Sequence, residues 1–254
     1  MSETKNSLLR AEQLTVGYEG VPVVGPVDLE IRKGEIFTLI GPNGAGKTTL
    51  LKTLAHQLEP VAGTVFLNEE EIAGRKPTEL AKEMAVVFSN ALKPDRMTCK
   101  ESVAVGRYPY TGRFGTLSDE DEAVIQRSME QVHVADLADR SFDAISDGQR
   151  QRVVLARALC QEPDILLLDE PTTFLDIRWK AEFLKALRDL SENDGLTVVL
   201  TLHELDLAQK VSDRVACVRG HTLDRVGTPE KVFSGTYIAD LFELDPESYR
   251  RWFE

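Results

Sequence analysis

Residues 41–49, GPNGAGKTT, follow the apolar run EIFTLI directly and lead into TLLKTLAHQL, whose apolar residues recur at helical spacing. Few stretches of nine residues restrict a fold so far. Gly41, Gly44 and Gly46 let the backbone turn tightly, so that consecutive N–H groups converge. A helix starting where the glycines stop adds a partial positive charge of about half a unit. The pattern G-x-x-x-x-G-K-[ST] between a strand and a helix is a phosphate-binding loop. Lys47 would reach the β and γ phosphates, and the Thr48 hydroxyl would coordinate Mg²⁺. Gly41, Pro42, Asn43, Gly44, Ala45, Gly46, Lys47, Thr48 and Thr49 are therefore predicted to hold a nucleotide triphosphate at the end of a sheet strand.

A second stretch carries the chemistry. In DILLLDEPTTFLD, four apolar residues end in Asp169 and Glu170, at the C-terminal end of a predicted buried strand, where ligands of open parallel sheets collect. Asp169 would hold Mg²⁺ through its water, and Glu170 would polarise the attacking water as general base. The alternative, strand-end carboxylates that cap the next helix, does not explain why so apolar a run leads into two charges. No Asn-Lys-x-Asp tetrapeptide for reading guanine occurs in the chain, which favours ATP over GTP.

The remaining pattern predicts an α/β chain. LLRAEQLTVGY, VDLEI and EIFTLIG, punctuated by Gly and Pro, read as an antiparallel lobe leading into a core strand. Leu50, Leu51, Leu54 and Leu58 form one helix face. GTVFLN and EMAVVFSN are further strands, separated by a short helix starting at Pro77. From about Asn90 to Cys160 the pattern is mostly helical, with TCKESVAVGR, SDEDEAVIQRSMEQV and SDGQRQRVVLARALC as its helices. DILLLD, TVVLTL and RVACVR then alternate with RWKAEFLKALRDLSE and ELDLAQKV, as a parallel sheet requires. The expected fold is a P-loop NTPase core with a mixed or parallel sheet, an antiparallel β lobe and an inserted helical subdomain. It is read as a single domain over 1–254, with core and lobe at about 8–89 and 161–235, the insert at about 90–160 and a tail at about 236–254.

Charge narrows the partners. With a formal net charge of −12, the chain is not suited to broad electrostatic attachment to nucleic acid or anionic lipid, each itself negative. Apolar runs such as 165–168 and 198–200 fall far short of the roughly 20 residues a membrane-spanning helix needs. MSETKNSLLR lacks the basic-then-apolar pattern of a secretory signal. A cytoplasmic protein without direct membrane insertion is expected, held by another protein if it works at a membrane. Cys99, Cys160 and Cys217 are odd in number and widely spaced, and read as buried or half-buried thiols.

Taken in order, the P-loop, SDGQ at 146–149, ILLLDE, and TLH after one further strand resemble the nucleotide-binding subunits of ATP-binding-cassette (ABC) transporters, over about residues 8–235. On its own, AISDGQRQR is a helix start capped by Ser146. The resemblance makes SDGQ a signature motif, in which Ser146, Gly148 and Gln149 bind the γ-phosphate of ATP held on a second subunit's P-loop. A serine hydroxyl and exposed N–H groups at a helix start are chemically suited to an anion. The resemblance also implies that adenine stacks on Tyr18, for which a tyrosine closing a β-turn beside Gly17 and Gly20 is the alternative. Asp176 resembles the loop aspartate that couples the two sites, and it would also serve as a helix N-cap. His203 resembles the switch histidine that contacts the γ-phosphate, whereas His56, His133 and His221 read as surface or packing residues.

Two positions depart from the family pattern. Where a glutamine usually senses Mg²⁺ and the attacking water, VVFSN offers Ser89, with Asn90 as second candidate; Ser89 is expected to keep a reduced sensing role. Asp147 stands where a second glycine is commoner, and its carboxylate would repel a γ-phosphate unless it points away or caps its own helix. VGRYPYTGRFGTLSDED at 105–121, together with SDGQ, is similar to importers of iron chelates (siderophores), haem or cobalamin. Its Tyr108, Tyr110 and Phe114 would line a groove for a permease coupling helix or anchor a solvated loop. The resemblance implies an ATPase that uses ATP and Mg²⁺ and works as a homodimer with transmembrane permease subunits. It further implies cargo delivered by an external substrate-binding protein, and a peripheral position on the cytoplasmic face of the membrane. A soluble ABC ATPase of cluster assembly or repair, and a small-molecule kinase, are the alternatives.

Overall fold

The computed structural model describes residues 7–88, 96–112, 115–173 and 175–245. Ser89, Asn90 and Phe114 lie outside them. In chain order the elements are β1 (Ser7–Tyr18), β2 (Val21–Arg32), β3 (Ile36–Ile40), α1 (Lys47–Leu54), β4 (Ala62–Leu67), β5 (Glu70–Glu71), α2 (Pro77–Glu83), β6 (Met84–Val87), α3 (Cys99–Ala104) and α4 (Asp119–Gln131). There follow α5 (Asp147–Leu159), β7 (Ile165–Leu168), α6 (Ile177–Asp194), β8 (Thr197–Thr201), α7 (Leu205–Val211), β9 (Arg214–Arg219), β10 (Thr222–Gly227), α8 (Pro229–Val232) and α9 (Tyr237–Leu241). They fall into two compact units, one from 1–74 with 197–254 and the other from 75–196.

In the first unit, β2, β1, β4 and β5 form the antiparallel lobe in that order. Glu19 and Gly20 connect β1 to β2 with φ of 50° and 79°, the two left-handed residues that a tight type I′ hairpin needs. The turn leaves Tyr18 at the end of β1, paired with Val21. β3 runs parallel to both β8 and β9, and β10 returns antiparallel on β9. Every residue of β3 and β8 is buried, as in strands covered on both faces.

α1 buries Leu50, Leu51 and Leu54, but it ends before Leu58. His56 takes φ 53°, its N–H donating to Thr53 O at 3.0 Å while the Gln57 N–H donates to Lys52 O at 2.9 Å. That pair of bonds is the Schellman closure, which satisfies the last carbonyls and turns the chain out of the helix. Periodicity cannot see it, because the left-handed residue is a histidine and not the usual glycine.

In the second unit, β6 and β7 pair in parallel, with Val87 opposite Leu168, and all four residues of β7 are buried. α2 starts with Pro77 inside its first turn, where a missing N–H costs nothing. α3, α4 and α5 pack together. Each opens with a capping box: Thr98 with Glu101, Ser118 with Asp121, Ser146 with Gln149. Buried Arg107 links this bundle, donating to Asp121 Oδ1 at 2.7 Å, Cys160 O at 3.0 Å and Glu162 Oε2 at 2.8 Å. Cys99, Cys160 and Cys217 are all buried, and burial pushes the thiols of Cys160 and Cys217 up to about 11, so both stay protonated at neutral pH.

Asp121 gives the bundle a pH signature. The Ser118 N–H and hydroxyl, and then Arg107, hold its carboxyl at about 2 against an ordinary 3.8. A carboxyl with a lowered folded-state value stabilises the fold above the unfolded value and loses that contribution as pH falls through the folded one. In urea titrations, wild type is expected to exceed Asp121→Asn at pH 6, with the gap closing as pH falls from about 4 toward about 2. A gap independent of pH over that range would contradict the assignment.

Candidate nucleotide site

The first unit supplies the loop. Gly41 follows β3 with φ 147°, and a Cβ there would lie 2.3 Å from the Val218 carbonyl oxygen. The glycine is thus demanded by the β9 backbone as well as by any phosphate. At Gly46, with φ 99°, a Cβ would meet Val24 Cγ2 at 2.4 Å, whereas Gly44 faces open space and needs glycine only for its φ of 77°. α1 begins at Lys47 behind Gly46 with no side-chain cap. The first-turn N–H groups of a helix have no intrahelical acceptor, so this uncapped start, next to a loop without bulky side chains, suits an anion.

Lys47 is only 5% exposed, and its ammonium donates to Gly41 O at 2.7 Å and Pro42 O at 2.9 Å. The charge is held against the loop. Tyr18 is 47% exposed, and its phenol oxygen accepts a 3.4 Å bond from Thr49 Oγ1 on α1. His203 is exposed just beyond β8, where the Leu202 N–H donates to Leu39 O at 3.3 Å. Tyr18, residues 41–49 and His203 therefore gather around the C-terminal end of β3 within one unit, and the set fits a nucleotide triphosphate.

The second unit carries the carboxylates and the signature. The buried Asp169 follows β7, its N–H donating to Val87 O at 2.9 Å. Glu170 adopts φ 50°, a left-handed backbone that costs a non-glycine residue about 1 kcal/mol or more and that concentrates at functional sites. Thr173 braces it: its N–H donates to Glu170 O at 3.3 Å, and its hydroxyl lies 3.5 Å from Glu170 Oε2. Among the described residues no three His, Cys, Asp or Glu side chains form a metal cage. Mg²⁺ carried by phosphates needs only one or two protein carboxylates and keeps several waters, a ligand role that the Asp169 carboxylate suits by its chemistry.

Ser146 does cap α5: its Oγ accepts the Gln149 N–H at 3.3 Å, and its N–H donates to Gln149 Oε1 at 2.9 Å. A hydroxyl that has accepted one bond still has its own proton to donate, so capping leaves it able to bind a phosphate oxygen. Asp176 caps α6, accepting the Trp179 N–H at 3.0 Å. Asp147 forms an ion pair with Arg150 one turn on, and Arg150 is itself anchored on Asp143 O at 3.0 Å. The paired carboxylate is offset by a neighbouring cation, and Asp147→Gly is expected to keep or raise ATPase activity in a phosphate-release assay. A collapse would show that Asp147 has a role of its own.

Three contributing residues carry no motif. Val23 and Val24 on β2 back Gly46, signalled only by an apolar pair in a strand. Trp179 lies against Gly148 and under Arg152, signalled only by an aromatic just after Asp176.

Comparison with known proteins gives the family. The ABC transporter family model matches residues 24–173. An uncharacterized ABC transporter ATP-binding protein of Methanocaldococcus jannaschii is 44% identical over 95% of this chain and 83% of its own. The iron(3+)-hydroxamate import ATP-binding protein of Bacillus subtilis is 38% identical over 94% of this chain and 89% of its own. Among solved structures, a dimeric ATP-binding cassette in a post-hydrolysis state with ADP and Pi is 26% identical, with a TM-score of 0.76, over 87% of this chain and 99% of that one. A P-loop on a parallel strand, a capped SDGQ helix and a strand-end Asp-Glu pair, carried by a chain with these relatives, identify a member of the ABC transporter family, an ATP-binding subunit with ATPase activity.

Proposed function

We propose that this subunit powers import of a ferric chelate, with haem and cobalamin as related cargoes, through a transmembrane permease on whose cytoplasmic side it sits. The observation that carries the reading is the 38% identity, over nearly the whole chain, to a protein named for iron(3+)-hydroxamate import. The single ABC domain comprises the core with its β lobe, the helical insert at about 90–160 and the tail. No described helix is long and apolar enough to cross a membrane, so attachment falls to the permease. Val105 and Tyr108, 50% and 71% exposed, support a docking groove on the second unit. An external binding protein delivers the chelate on the far side.

Two copies act head to tail. Adenine stacks on Tyr18, residues 41–49 cradle the phosphates, and Lys47 neutralises the β and γ oxygens. Ser146, the Gly148 N–H and Gln149 of the other copy donate to the γ-phosphate, and Asp176 lies between the two sites. Thr48 and Asp169 would hold Mg²⁺, with Ser89 as a further candidate; the ion would neutralise phosphate charge. Water attacks the γ-phosphorus, the bond to the β-phosphate oxygen breaks, and Glu170 accepts the water's proton as ADP leaves. His203 donates to the γ-phosphate. Because ATP favours the closed pair, its hydrolysis reopens it.

Mixing Lys47→Ala and Ser146→Ala chains tests the composite site: each is inactive alone, and the mixture is expected to regain activity from one intact site per mixed dimer. No recovery would sink the head-to-tail arrangement. Purification of the tagged subunit from detergent-solubilised membranes is expected to bring down a multi-spanning protein; recovery of the subunit alone would favour the soluble alternative.

A further inference from the structure

The start of α5 and the start of α6 meet at one side chain. A Cβ built on Gly148 would lie 3.5 Å from both Trp179 Cδ1 and Leu175 Cδ2, so the signature backbone rests against the indole edge. The backbone N–H of Trp179 donates to Asp176 Oδ1 at 3.0 Å, the cap of α6. One turn beyond Gly148, Arg152 places its guanidinium 4.0 Å from the Trp179 ring centroid, with Arg178 at 5.1 Å. Arg152 is 7% exposed and fastened by a 2.8 Å bond from Nη1 to His133 O. Its buried Nε has no hydrogen-bond partner among the described residues. A buried N–H without an acceptor is costly, and the π face of a tryptophan is the strongest aromatic partner for a cation. Arg152 is therefore held in place partly by the ring, and the ring by Arg152.

We propose that Trp179 is a positioning residue for ATP hydrolysis, its indole seating the signature segment of Ser146 and Gly148 on the helix start that Asp176 caps, so that both segments address the partner subunit's nucleotide as one rigid piece. This rests on the head-to-tail reading above. Two loops joined only by flexible contacts would approach the phosphate independently, and small misplacements of groups around a reacting centre are expensive in rate. The indole packs on Gly148 and Arg152 of the signature helix and stands on the first turn of the helix that Asp176 caps, while adenine and phosphate capture by the isolated chain rests on Tyr18 and residues 41–49 of the first unit.

The test uses the full chain and ATP. Trp179→Ala is expected to lower kcat by roughly ten- to a hundredfold with binding of a fluorescent ATP analogue to the isolated chain little changed. Trp179→Phe, which keeps a ring face, is expected to restore most of the loss. Mixed with Lys47→Ala chains, Trp179→Ala is expected to recover activity, because its own P-loop then meets an intact signature. Wild-type kcat in a folded Trp179→Ala chain would overturn the proposal. So would failure to recover in that mixture when Ser146→Ala does recover, since Trp179 would then serve only its own chain. If Ser146→Ala also fails to recover, the head-to-tail reading falls and the proposal with it. Should Trp179→Ala not fold, Trp179→Leu, apolar but without a ring face, carries the same expectations.

Discussion

Glu170→Gln is expected to reduce ATP turnover by about 10²- to 10⁴-fold, the range that a positioned general base contributes, while ATP binding stays close to wild type. The substitution keeps volume and removes the ability to take a proton. The backbone at Glu170, held left-handed at φ 50° and braced by Thr173, has no reason to relax. Single-turnover hydrolysis and equilibrium nucleotide binding, measured on the same preparation, separate the two effects. If turnover persisted, the proton would have to go elsewhere; if binding were lost with it, Glu170 would be structural.

Lys47→Met is expected to weaken ATP binding by on the order of a hundredfold, since a hydrogen bond from a charged group is worth about 1.5–3 kcal/mol. The methionine approximates the buried stem and discards the ammonium that bonds to Gly41 O and Pro42 O, so lost charge is not confused with a cavity. Titration with a fluorescent ATP analogue reads it directly. An affinity within a few-fold of wild type would mean that the loop's N–H groups carry the triphosphate alone. Gly41→Ala provides a contrast: it retains the lysine but drives a methyl into the Val218 carbonyl, and it should lower the melting temperature in the absence of nucleotide, which Lys47→Met should do far less.

Features written in short-range spacing are legible in the amino-acid sequence alone. The phosphate loop, the Asp-Glu pair after ILLL, the helix start at Pro77 and the cap at Ser146 depend on residues a few positions apart, so local backbone chemistry suffices to find them. The cap also shows where such reading becomes ambiguous. Ser146 and Asp176 are N-caps in the folded chain, and the same atoms are the ones assigned to nucleotide across a dimer; a helix start satisfies both descriptions.

By itself, then, the amino-acid order determined that this chain binds a triphosphate on an α/β scaffold, because glycine spacing, strand hydrophobicity and helix caps act within one turn or one strand. Only tertiary structure decided why Gly41 and Gly46 tolerate no side chain, since Val218 and Val24 come from distant strands. It alone joined Thr49 to Tyr18. It also set Trp179 between Gly148 and Arg152. Each of these depends on contacts whose partners no local pattern names, and their energies exist only once the chain has closed upon itself.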